Sequence, residues 1–103
     1  QGRMLYLHYL NANKNCLLVV GATWPQQLAE VRAIVGDMPF LVPGVGAQGG
    51  DVEQIIKNGR GKDSNALIIS SSRAILYAGN GSDFAEAARA AALKQRDEIN
   101  RFR

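Results

Sequence analysis

The 103-residue chain has one cysteine, one histidine and one tryptophan. A lone Cys16 cannot close an internal disulfide, so a reducing compartment, the cytoplasm, is the expected setting. It stands beside an apolar run and has no obvious histidine partner, which reads as a small buried hydrophobe rather than a nucleophile. His8, between Leu7 and Tyr9, has no metal-ligand neighbour and is expected to pack or to lie on the surface. No metal site is expected.

Long hydrophobic runs are also missing. The longest, such as Leu17-Leu18-Val19-Val20, falls far short of the roughly 20 residues that span a bilayer. Gln1-Gly2-Arg3 leads into a mixed polar segment rather than the apolar centre of a secretory signal. No membrane partner is expected. Charge of one sign is scarce: the net charge is only +3. The excess gathers at Lys57, Arg60 and Lys62 and again at Arg96, Arg101 and Arg103. Nucleic-acid binding would want interleaved aromatics or a known module there, so these positions read as a solvated basic face. With 47% hydrophobic and 20% charged residues, the chain has the composition of a soluble globular protein rather than a disordered one.

Three short apolar runs are what the chain does have: Leu17-Leu18-Val19-Val20, Phe40-Leu41-Val42 and Ala66-Leu67-Ile68-Ile69. None alternates with polar residues, as suits parallel strands buried on both faces. Each precedes small loop residues and then a helical pattern, at the spacing of compact βα units. The order predicted is βαβαβ, an α/β fold with right-handed crossovers. Thr23-x-x-Gln26 spells a capping box with Pro25 in the first turn, and Leu28, Val31 and Val35 follow as an apolar stripe ending near Gly36. Asp51 opens a shorter helix with Val52, Ile55 and Ile56 inward, stopping at Asn58-Gly59. Residues 58–65 read as a polar loop. A last helix starts after Gly79-Asn80-Gly81 with Ser82 as cap. Phe84, Ala88, Ala91, Ile99 and Phe102 share its face, interrupted by Gln95. Residues 1–12 are expected to close an earlier helix, most clearly over residues 4–10.

Three parallel strands with right-handed crossovers carry helices on one side only, which leaves the other strand face bare. A barrel would cover it by closing, but a full barrel takes about 250 residues. The expectation is therefore a single partial domain over 1–103, a fragment or a chain that assembles with another.

The densest chemical signal is Pro43-Gly44-Val45-Gly46-Ala47-Gln48-Gly49-Gly50-Asp51, between a strand and a helix. Its glycines let backbone amides point at an anion, and the helix start adds a favourable dipole. Gly44-x-Gly46-x-x-Gly49 also spells a dinucleotide-binding pattern, but the next strand ends in Ser70-Ser71-Ser72 and not in the acidic residue that such a site requires. A tight strand–helix turn is the plainer alternative. The second signal is Arg73, just past the third run. A guanidinium there suits a phosphate, which it grips with two parallel bonds, or else a surface ion pair. The last two loops of a (β/α)₈ barrel often build one phosphate site in this way.

Together with Val20-Gly21-Ala22-Thr23 and Ser71-Ser72-Arg73-Ala74-Ile75-Leu76-Tyr77, the glycine segment resembles the orotidine 5′-monophosphate decarboxylases, in particular their bacterial branch. The resemblance runs from about Leu17 to the end. It implies that the three runs are strands six, seven and eight of a TIM (β/α)₈ barrel, the carboxyl-terminal part of the enzyme. It implies that Gln48 bridges the phosphate and pyrimidine sides of orotidine 5′-monophosphate and that Arg73 grips the phosphate. Amides near Gly49 and Ser72 would assist, with Pro43 and Val45 lining the pocket near the base. It further implies a lyase of pyrimidine biosynthesis, forming uridine 5′-monophosphate without a cofactor, and working as a homodimer.

The family's Asp-x-Lys-x-x-Asp motif occurs nowhere in the chain. Lys62-Asp63 falls in a polar loop, and Lys94 with Asp97 reads as an exposed helical ion pair. No catalytic residue is assigned, and these residues alone are expected to be inactive without the amino-terminal half of the barrel. The alternatives are a non-catalytic phosphate-binding half-barrel that dimerises, and another sugar-phosphate barrel enzyme.

Overall fold

A computed structural model of the chain describes residues 11–46, 51–62 and 65–103. The expected earlier helix over residues 4–10, with His8, lies outside them, and the described chain opens on a turn at residues 11–13. Strands β1 (Leu18–Val19), β2 (Phe40–Pro43) and β3 (Leu67–Ser70) alternate with helices α1 (Pro25–Val35) and α2 (Val52–Gly59). A four-residue helix α3 (Arg73–Leu76), which the sequence pattern did not announce, and the long α4 (Phe84–Arg101) complete the order. The sheet is parallel throughout, in the order β1-β2-β3.

The register explains which residues are buried. Leu18 pairs with Phe40 and Phe40 with Leu67, while Val42 pairs with Ile69. This side faces the helices: Phe40 and Val42 are fully buried with Leu28 of α1 and Ile55 of α2, and Leu18, Val20, Leu67 and Ile69 pack against them. The neighbouring row, Val19–Leu41–Ile68, points the other way. Val19 is 67% exposed and Ile68 51%, and Leu41 is half-buried. Covering an aliphatic side chain fully is worth about 1.5–3 kcal/mol, so this bare row favours any surface that can close over it. The expected uncovered face is therefore present.

Local details depart from the sequence pattern where side chains have better uses. Pro25 does begin α1, but the cap position belongs to Trp24 and no side chain caps the helix, so the Thr23/Gln26 box does not form. Gly36 ends α1 at φ 63°, where a side chain would be strained, and its amide donates to the Arg32 carbonyl. For α2 the expectation holds: the Asp51 carboxylate accepts from the Gln54 amide at 3.3 Å. The cap position of α4 is held by Asp83, not Ser82, and again no side chain bonds to the helix end. Phe84 is 61% exposed and leaves the shared face. Half-burial starts at Ala87, where the helix presses so close to Gly79 that an added Cβ would sit 2.7 Å from that of Ala87. Cys16 is exposed rather than buried, because it precedes β1 and its amide is turned to the Asn11 side chain. Asp97 takes both bonds from its neighbour Arg96, at 2.9 and 2.7 Å, instead of pairing with Lys94.

At the end where the strands begin, one side chain ties the layers together. The Arg32 guanidinium donates to the carbonyls of Gly36 at 2.7 Å, Met38 at 2.6 Å, Gly59 at 2.8 Å and Ala66 at 3.1 Å. It also stacks 3.7 Å over the Phe40 ring. Those carbonyls belong to the exits of α1 and α2 and the entries to β2 and β3. Burial pushes the guanidinium below its ordinary pKa, with Asp37 acting the other way.

Candidate functional site

At the opposite end, where the strands finish, three loops enclose a cleft of about 380 Å³. The chain leaving β1 supplies Gly21, Ala22 and Thr23, that leaving β2 supplies Pro43 and Gly44, and that leaving β3 supplies Ser70, Ser72 and Arg73. The parallel register explains the convergence: Pro43 pairs with Ser70, so β2 and β3 end level and their next residues share one rim.

Two turns shape the rim. Gly44 and Gly46 have φ of 83° and 88°, in the left-handed region that costs an ordinary L-residue about 1–2 kcal/mol. The Gly44 amide donates to the Ser70 carbonyl at 3.1 Å. On the other side, α3 begins directly after Ser72. The first amides of a helix have no upstream carbonyl to bond and so face outward as donors. Arg73 is exposed, and among the described residues no carboxylate pairs with it. An exposed cation without a carboxylate partner on this rim suits an anion entering the cleft.

Of the site residues expected from sequence, Pro43, Ser72 and Arg73 are brought together on this cleft. Val45 is placed elsewhere: its side chain is fully buried in the helix-side core. Its carbonyl, however, accepts from Ser71 Oγ at 3.0 Å and from Gln95 Nε2 at 3.4 Å. Gln48 and Gly49 lie outside the described residues. Thr23 was read from sequence as a cap and lines the cleft instead; the capping-box spelling concealed it. Gln95 showed only as a polar break in an apolar helix face.

A wider groove of about 440 Å³ lies on the helix side, lined by Ile56, Leu67 and Ile69 with Arg96 and Arg103 along its edge. It lacks the glycine turns and is lined mostly by α4 and the helix-side face of β3, as a gap between layers. Among the described residues no group of three or more His, Cys, Asp or Glu could hold a metal ion. Nor, among them, is any helix long and apolar enough to cross a membrane.

Comparison with known proteins gives the same picture. The profile of the "Orotidine 5′-phosphate decarboxylase / HUMPS family" matches residues 3–91. The orotidine 5′-phosphate decarboxylase of Cellvibrio japonicus (strain Ueda107) is 69% identical over 90 residues, covering 87% of this chain and 33% of the relative. That of Azoarcus sp. (strain BH72) is 63% identical over 93 residues, covering 90% of this chain and 34% of the relative. Among solved structures, Leishmania donovani OMP decarboxylase superposes with a TM-score of 0.77 at 34% identity, over 96% of this chain and 37% of that one. The chain thus spans about a third of the length of the relatives it matches. Its three parallel strands are the corresponding part of a (β/α)₈ barrel. The chain belongs to the orotidine 5′-phosphate decarboxylase family, as a carboxyl-terminal portion of its barrel.

Proposed function

We propose that the protein to which this chain belongs removes the carboxylate of orotidine 5′-monophosphate as carbon dioxide, leaving uridine 5′-monophosphate, and that these residues supply the grip on the phosphate. The observation that carries this is the convergence of Pro43 and Gly44 with Ser70, Ser72 and Arg73 on one small cleft. In this reading Arg73 holds the phosphate with its planar fork, and amides near Ser72 and Gly49 donate to the remaining oxygens. Gln48 reaches between phosphate and pyrimidine, and Pro43 borders the base. Val45 contributes through its backbone, since its side chain is buried away from the cleft. Binding energy gathered at the remote phosphate then assists the reacting centre. No cofactor takes part.

The 103 residues contain no Asp-x-Lys-x-x-Asp motif, so by themselves they are inactive. The reacting charges come from the other strands of the barrel. Those strands also cover Val19, Leu41 and Ile68. Assembly as a homodimer in the cytoplasm completes the proposal, the lone Cys16 being in keeping with a reducing compartment.

The test is to join this chain to the preceding segment of the Cellvibrio japonicus relative and to assay release of carbon dioxide from orotidine 5′-monophosphate. Turnover by the completed barrel, with none from either part alone, is the expected result. A well-folded completed barrel that turns over other sugar phosphates but not this nucleotide would overturn it.

A further inference from the structure

The inner face of α4 carries an inconsistency that packing does not explain. Ala88, Ala91, Ala92, Ile99 and Phe102 make it apolar and half-buried, yet Gln95 stands among them, half-buried as well. A glutamine there exchanges water for whatever partner it finds, at a cost unless it is bonded. Its partner is the Val45 carbonyl, at 3.4 Å, which also accepts from Ser71 Oγ at 3.0 Å. Val45 itself lies between Gly44 and Gly46, both of positive φ. The Gly46 Cα faces the same amide: an added Cβ would stand 4.0 Å from Gln95 Nε2.

We propose that Gln95 is a positioning residue: from the last helix it holds the Val45 carbonyl jointly with Ser71, and so fixes the Gly44–Gly46 turn against the rim formed by Ser70, Ser72 and Arg73. The physical argument is one of geometry. The Val45–Gly46 peptide turns about ψ of Val45 and φ of Gly46, and the glycine leaves the second of these unusually free. Two donors from different elements, one on the β3 exit and one on α4, hold the carbonyl in one direction. The same turn begins at Gly44, whose amide bonds to Ser70 and which itself borders the cleft. Removing a donor leaves the fold standing but lets the rim sample other orientations, which weakens the grip on phosphate without touching the reacting groups.

The inference rests on the proposed phosphate grip, so its test carries a separate control. In the completed barrel, Gln95→Leu and Ser71→Ala are compared with the unsubstituted enzyme and with Arg73→Ala. Each of the first two is expected to raise KM about 3- to 10-fold, the scale of one neutral hydrogen bond, with kcat kept within about twofold. Competitive inhibition by uridine 5′-monophosphate weakens by the same factor. The double variant falls short of the product of the two, because both donors serve one carbonyl. Gln95→Glu, which places an acceptor against the carbonyl, is expected to be worse than Gln95→Leu. A change in melting temperature with KM and inhibition unmoved would reduce Gln95 to packing and overturn the inference. If Arg73→Ala also leaves KM and inhibition unmoved, the phosphate grip itself has failed.

Discussion

The Gly44 amide donates to the Ser70 carbonyl across 3.1 Å, joining the exits of two adjacent strands at the point where both border the cleft. The bond continues the parallel ladder past the Pro43–Ser70 pair, and at φ 83° Gly44 then turns the chain out of the strand. Alanine at this position is expected to lose about 1–2 kcal/mol of stability and, in the completed barrel, to raise KM for orotidine 5′-monophosphate. Gly21 borders the same cleft, but an added Cβ would meet nothing within 4 Å. Gly21→Ala should therefore leave the urea midpoint almost unchanged. Equal loss of stability in the two variants would show that the turn at Gly44 is not special.

Arg32 is expected to matter for stability and not for chemistry. It bonds four carbonyls and stacks on Phe40, at the end of the strands remote from the cleft. Bonds from a charged donor are worth about 1.5–3 kcal/mol each when taken singly, but they share one side chain. Arg32→Ala should cost about 2–4 kcal/mol in urea unfolding, with KM unchanged in whatever enzyme remains folded. Arg32→Lys should recover little of it, since an ammonium cannot reach several carbonyls from one plane.

The bare inner row predicts how the 103 residues behave alone. Val19 and Ile68 are exposed across a contiguous sheet face, the kind of patch that drives association. Light scattering of the isolated chain should show oligomers or aggregates. Val19→Lys with Ile68→Lys should shift it toward monomer, while preventing reconstitution with the rest of the barrel. A monodisperse monomer of the unsubstituted chain would contradict this.

The parts legible in the sequence were those governed by periodicity and by backbone chemistry. Continuous apolar runs gave three parallel strands because both faces of each demand cover. Asp51 was readable as a cap because a carboxylate one residue before an apolar helix has few other uses. The glycine turn and Arg73 were readable because neither serves a core. What escaped were long-range uses of ordinary residues. Thr23 satisfied a capping pattern locally, yet the end of β1 placed it on the cleft. Gln95 acquires its meaning from a carbonyl 50 positions earlier. Arg32 carries no motif of its own, and its role appears only when α2 and β3 bring Gly59 and Ala66 to it. No local spacing encodes such contacts.

The central claim is that adjacent strand ends converge on one nucleotide phosphate, with Arg73 as its cation. Steady-state kinetics of Arg73→Ala in the completed barrel tests it most directly. The account predicts a fall in kcat/KM of about 100-fold or more, the scale of losing a desolvated charge partner, with only partial recovery in Arg73→Lys. Unchanged kinetics in a folded Arg73→Ala enzyme would contradict it.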